Sequence, residues 1–182
     1  MQKVYYIIKK FNDEKTEYDL PTAVIEHCKS RHSGNAFKIS LFAYNLLFDA
    51  YSTVYKKALT LDFLPSNKPI SNGASVSVSH SKNVVAVCFV DGQENIGVDV
   101  QEVKGEFSGN LKKLLNDGVN TVVNDYVSWC KREAYIKAND LSMLTKKKIE
   151  FKGVTKTLEL NGTYYAFALH CNNVVDFVEV KI

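Results

Sequence analysis

The sequence predicts an α+β protein of two pseudo-symmetric lobes, each a long helix packed on a small antiparallel sheet of three or more strands. Three observations carry that expectation. Apolar residues spaced three and four apart give two long helices, at residues 37–57 and 119–139. Alternating or short apolar runs give strands in two groups of three, spanning residues 75–100 and 151–181. Each helix precedes one group of strands, so the chain repeats its organisation without repeating its residues. Neither half, at roughly ninety residues, buries much core alone, and the two are expected to pack together with a ligand site at their seam.

The elements follow in order. Residues 3–8 are rich in Val, Tyr and Ile and read as a first strand. Asp19-Leu20-Pro21-Thr22 supplies an N-cap and an early proline for a helix running to Arg31. Ser33-Gly34-Asn35 separates it from the helix at 37–57, whose stripe is Ile39, Phe42, Ala43, Leu46, Leu47, Ala50 and Val54. Pro65, Pro69, Asn72 and Gly73 mark a loop. The period then changes to two in Ser75-Val76-Ser77-Val78-Ser79, residues 84–90 are a continuous apolar run, and residues 96–100 alternate again. Turns at Ser81-Lys82-Asn83 and Asp91-Gly92-Gln93 predict an antiparallel meander of these three strands. After the helix at 119–139 come strands at 151–160, 164–170 and 174–181, parted by Asn161-Gly162 and Asn172-Asn173. The lobes divide at residues 1–103 and 104–182.

The composition of the 182 residues, 46% apolar and 24% charged, excludes a disordered or collagen-like chain. A net charge of +3 is too small and scattered to favour nucleic acid as a partner. The four cysteines lie at least forty residues apart and read as free, reduced thiols. The start, MQKVYYIIKKF, lacks the apolar core and small-residue cleavage site of a leader, and residues 39–48 are too short to span a membrane. A cytoplasmic protein with no membrane partner is expected. GxGxxG, Walker A, HExxH, GxSxG and EF-hand motifs are absent, and the four histidines lack zinc spacing.

Three polar features do not fit a bare scaffold. In Ile96-Gly97-Val98-Asp99-Val100-Gln101 one strand face carries Gly97, Asp99 and Gln101. That face meets solvent, or Gly97 marks the close approach of a ligand or another backbone. In Ser79-His80-Ser81 neighbouring side chains point to opposite faces and cannot form a triad. The segment is a polar strand end, or His80 donates to a phosphate. In the later helix the stripe is Val123, Val127, Cys130, Ala134, Ala138 and Leu141, with Lys137 about 20° and Glu133 about 60° from Cys130. Glu133 and Lys137 form a surface i,i+4 ion pair, or Glu133 joins Asp99 at the seam around a hard divalent ion.

In order and spacing these pieces resemble the surfactin-type phosphopantetheinyl transferases, from about residue 37 onward. That family carries Lys-Pro, Ser-His-Ser, Gly-(Ile/Val)-Asp-(Ile/Val)-Glu and Trp-x-x-Lys-Glu-x-x-x-Lys. Here they read Lys68-Pro69, Ser79-His80-Ser81, Gly97-Val98-Asp99-Val100-Gln101 and Trp129-Cys130-Lys131-Arg132-Glu133-Ala134-Tyr135-Ile136-Lys137. The resemblance implies Mg²⁺-dependent transfer of 4′-phosphopantetheine from coenzyme A to a serine of an apo acyl or peptidyl carrier protein. It implies that Asp99, Glu133 and Gln101 hold the metal, and that Glu133, Lys137 and Asp99 are catalytic. Lys68, Ser79, His80 and Lys137 would bind coenzyme A, with Arg31 or Lys38 as further phosphate contacts. It also implies a monomer, because both lobes lie in one chain, and a basic patch of Lys112, Lys113, Lys131 and Arg132 for an acidic carrier. Three departures stand out: Gln101 replaces the family's glutamate, Arg132 replaces its lysine, and residues 105–120 lack its Arg-Phe-Phe-type motif. They motivate one alternative, a degenerate member that binds coenzyme A or a carrier without catalysis.

Overall fold

The apolar run at residues 84–90 becomes a central strand because both of its faces are covered. The structure, a computed structural model, describes residues 2–13, 17–110, 112, 125–142, 145, 148–173 and 176–182. Its elements are β1 (Lys3–Lys10), α1 (Thr22–Arg31), α2 (Gly34–Tyr55), β2 (Asp62–Phe63), β3 (Pro69–Ile70), β4 (Ala74–Ser81), β5 (Val84–Asp91), β6 (Ile96–Glu102), α3 (Tyr126–Asn139), β7 (Gly153–Leu160), β8 (Thr163–Cys171) and β9 (Asp176–Glu179). Val85, Val87 and Phe89 of β5 pack under Leu47, Ala50 and Tyr51 of α2. Val84, Ala86, Cys88 and Val90, on its other face, meet Val98, Phe167 and Leu169 of a second sheet. Ala166 and Ala168 on the far side of that second sheet pack on Cys130 and Ala134 of α3. The layers therefore run helix, sheet, sheet, helix, a mixed α+β architecture as predicted.

Strand pairing departs from the sequence reading. The sheets are ordered β4-β5-β1-β9 and β6-β8-β7, with a small β2-β3 ribbon in the loop at 57–73. The meander of β4, β5 and β6 does not form, because β1 takes the second edge of β5, pairing Tyr5 to Lys10 with Phe89 to Val84. β6 pairs instead with β8, Asp99 opposite Ala168. The last group of three is split likewise: β7 and β8 form a hairpin, while β9 joins β1 in parallel. Each sheet thus contains a hairpin and a strand antiparallel to its second member, β4-β5-β1 and β7-β8-β6.

The edge of β6 is not left bare. The hydroxyls of Ser75, Ser77, Ser79 and Ser81 on β4 accept hydrogen bonds from the backbone N–H of Glu94, Val98, Val100 and Glu102, at 2.8, 3.1, 3.4 and 2.9 Å. The alternating serines are therefore a ladder that satisfies an edge strand and joins the two sheets without a backbone ladder. This seam carries the polar cluster described below.

Helix boundaries shift for local reasons. α3 starts at Tyr126, because Asp125 is extended and its carboxylate accepts the Ser128 N–H while Ser128 Oγ accepts the Asp125 N–H. Residues 119–124 of the predicted helix lie outside the described residues. α2 ends at Tyr55, with Lys56 in the left-handed region at φ 54°. The Asn161-Gly162 turn has φ of 54° and 76°, the double left-handed geometry that closes a two-residue hairpin. All four cysteines are free and buried. Among the described residues no helix is long and apolar enough to cross a membrane.

Candidate functional site

Gly97 lets α3 lie directly on β6. A Cβ at this position would stand 2.0 Å from the Ala134 carbonyl oxygen and 2.7 Å from the Ala138 nitrogen. The face carrying Gly97, Asp99 and Gln101 is thus covered by a helix rather than by solvent, and the close approach is that of another backbone. It sets Glu133 and Lys137, one turn apart on α3, beside Asp99.

Asp99 is 6% exposed. Its Oδ1 accepts the Ser79 hydroxyl at 2.8 Å and the Lys137 ammonium at 2.8 Å. Lys137 Nζ also donates to Ser79 Oγ at 3.0 Å and to the Val98 carbonyl at 3.1 Å. The surface i,i+4 pairing of Lys137 with Glu133 is therefore corrected: the ammonium is drawn inward, where three acceptors converge. Glu133 is left with a buried Oε1 that has no hydrogen-bond partner among the described residues. Burial, reinforced by the Asp99 charge and partly offset by Lys137 and Arg132, raises its carboxyl from the usual range to about 7.

Of these groups Ser79, Glu133 and Lys137 border a cavity of about 420 Å³, whose walls also include Arg31, His32, Lys68 and His80. Lys68 donates to the Ala138 carbonyl at 2.9 Å, tying the loop before β3 to the C-terminal end of α3, and burial lowers its pKa. Ser79 and His80 point apart as the strand period requires, and both border the cavity. Gln101 is half-buried on the face that holds Asp99, opposite Ala166 and outside the cavity wall. Arg31 faces the cavity, whereas Lys38 pairs with Asp13 on the surface at 3.0 Å.

Two members of the expected basic patch change status. Arg132 is 1% exposed and donates to the Thr145 carbonyl at 2.9 Å, so it cannot present charge to a partner. Lys113 lies outside the described residues. Lys112 is half-buried, and Lys131 lies 5.8 Å from the centre of the Phe151 ring. Sequence reading missed His32, whose place in the cavity comes from the α1–α2 junction, and the aromatic end of the cavity. There His27 stacks on Phe63 at 3.7 Å and Tyr44 meets both rings edge-on. No periodicity marks any of them.

His80 gives a stability prediction. Burial, His32 and Lys137 lower its pKa from 6.5 to about 4, against the opposing pull of Asp99. A depressed histidine contributes stability that is complete above pH 6.5 and lost as the pH falls towards 4, at most about 3 kcal/mol here. Glu133 contributes the opposite change over this range in both proteins, so the fall is expected in the difference: by urea unfolding, His80→Asn should gain roughly 2 kcal/mol relative to the unaltered protein between pH 7 and 4.5.

Comparison of the chain with protein-family models and with curated proteins finds no match. Among the described residues no three His, Cys, Asp or Glu side chains gather as a metal cluster.

Proposed function

We propose that the chain transfers the 4′-phosphopantetheine arm of coenzyme A to a serine hydroxyl of an apo acyl or peptidyl carrier protein, releasing adenosine 3′,5′-bisphosphate. The observation that carries this reading is Glu133: a half-buried side chain whose buried Oε1 has no hydrogen-bond partner among the described residues, beside Asp99 and Lys137 and facing a cavity bordered by Lys68, Ser79 and His80. The sequence resemblance names the same residues. On this reading the two sheets with their helices are the pseudo-symmetric lobes, and the seam between β4 and α3 is the active site. β6, within residues 1–103, then belongs to the second sheet, and β9, within residues 104–182, to the first. Both halves of the site lie on one chain, so a monomer suffices.

The donors suit Mg²⁺, which accepts hard oxygens, keeps several waters and needs one or two protein carboxylates. Asp99 and Glu133 would hold it, with the Gln101 amide oxygen as the weaker candidate. When bound, the ion supplies charge neutralisation at the pyrophosphate. The chain's own residues do the rest. Glu133 can take the serine proton directly or through water as the serine oxygen bonds to phosphorus and the bond to the adenosine-side phosphate breaks. Lys137 spans Asp99 and Ser79 and borders the cavity, where its charge can face the pyrophosphate. Lys68, Ser79 and His80 orient the phosphates. Lys112 and Lys131 remain for the carrier's acidic helix.

A binding-only alternative draws support from Lys137, whose ammonium already neutralises Asp99, and from the neutral Gln101. Titration of coenzyme A with Mg²⁺ and with EDTA separates the two. The transferase is expected to bind at least about tenfold more tightly with the ion. Equal affinity in both would favour binding without catalysis.

A further inference from the structure

We propose that His170, Asn172 and Asn139 form a one-way hydrogen-bond chain that positions the last turn of α3, and with it Lys68 and Lys137 on the cavity wall. What those two cations bind rests on the coenzyme A reading; the chain itself rests on its geometry. His170 is fully buried on β8. Its neighbours across the sheet are both glycines, Gly97 of β6 and Gly153 of β7, so no side chain crowds the imidazole from either strand. α3 closes over this row of three. Its Ala138 nitrogen would lie 2.7 Å from a Cβ on Gly97, and the Tyr135 ring meets the imidazole edge to face at 5.0 Å.

Backbone groups fix the sense of the chain at both ends. The Lys152 N–H can only donate, and it reaches His170 Nδ1 at 3.0 Å. The ring proton therefore sits on Nε2, which donates to Asn172 Oδ1 at 2.7 Å. Asn172 Nδ2 then donates to Asn139 Oδ1 at 2.9 Å. Asn139 Nδ2 donates in turn to the Tyr135 carbonyl at 2.9 Å, a group that can only accept. Reversing any link would set donor against donor or acceptor against acceptor, so ring and amides hold one another in place. The chain runs from the residue before β7 to the final residue of α3. Helix ends are the first part of a helix to open. This one carries Lys137, and its Ala138 carbonyl accepts from the Lys68 ammonium at 2.9 Å. His170, Asn172 and Asn139 all lie outside the cavity wall, so they act through the helix and not on a ligand.

The experiment uses the full chain labelled with ¹⁵N, with the His170 ring signals assigned from His170→Gln. At pH 7 the ring is expected as the neutral Nε2–H tautomer. Two variants then break the chain beyond the ring. Asn172→Asp keeps the shape and the acceptor for Nε2 but turns a second acceptor towards Asn139 Oδ1. Asn139→Ala removes the last two links without touching the ring. In both, amide exchange at residues 138–141 is expected to quicken about tenfold while β5 keeps its protection. Asn139→Ala is also expected to shift the His170 Nε2 signal, which loss of packing at the helix end would leave in place. Coenzyme A affinity, measured by calorimetry, is expected to fall about tenfold in both variants. A ring proton on Nδ1, or unchanged exchange at residues 138–141 in both variants, would overturn the chain. Equal loss of protection in β5 would overturn a role confined to the helix end. Faster exchange with unchanged coenzyme A affinity would overturn the placement of Lys68 and Lys137. Failure of the unaltered protein to bind coenzyme A, with the ring tautomer and the exchange pattern as expected, would overturn the transferase reading and leave the chain standing.

Discussion

Glu133→Gln is expected to abolish transfer while making the metal-free protein more stable above pH 7. The two effects have one cause. The Glu133 carboxyl is raised from 4.5 to about 7, chiefly by burial, so its ionised form opposes folding. A raised carboxyl contributes stability that is complete below pH 4.5 and lost as the pH climbs through 7. Above that, the ionised group costs up to about 3 kcal/mol relative to its solvated state. Glutamine keeps the shape without the charge, so the variant should gain roughly 2–3 kcal/mol at pH 8 and almost nothing at pH 4.5. The same change removes the proposed base and a metal donor. Urea unfolding at both pH values and a transfer assay check it together. A variant no more stable at pH 8 would contradict the buried-charge account, and a fully active one would contradict the catalytic role.

Gly97→Ala has the second large effect. Alanine is ordinarily better than glycine within a regular element, by about 0.5–1 kcal/mol. Here the new methyl would meet helix backbone at 2.0 and 2.7 Å, and no side-chain rotation can relieve it. α3 must move off β6, losing the packing of Cys130 and Ala134 on Ala166 and Ala168. The expected loss is about 3 kcal/mol or more by chemical denaturation. Protein that remains folded should bind Mg²⁺ weakly, because Glu133 and Asp99 are set apart. Stability equal to that of the unaltered protein would show that the helix does not depend on this contact.

Much of the architecture was legible because it is written in local periods. The unbroken run at 84–90 announced a strand, and Asn161-Gly162 marked the break between two more. Strand partners were not legible, because a period of two says which residues share a face and nothing about which strand lies alongside. β6 therefore looked like the third strand of a meander, although β1 holds the edge it would have needed. Ser79-His80-Ser81 read as a polar strand end, and the role of the β4 serines appears once β6 places its N–H groups against them. Asp99 stood out as an aspartate in mid-strand. The partner of Lys137 was misjudged, because Glu133 is close to it in sequence whereas Asp99 is reached through the fold. Arg132 shows the same limit: its helix position did not reveal that the turn after α3 would bury it.

The central claim is most directly tested by the intact mass of an apo acyl carrier protein incubated with this protein, coenzyme A and Mg²⁺, beside an EDTA control. The account predicts a mass gain of one phosphopantetheine arm on the carrier, lost with EDTA and lost in Glu133→Gln. No gain on several different apo carriers, under conditions where coenzyme A binds, would contradict it.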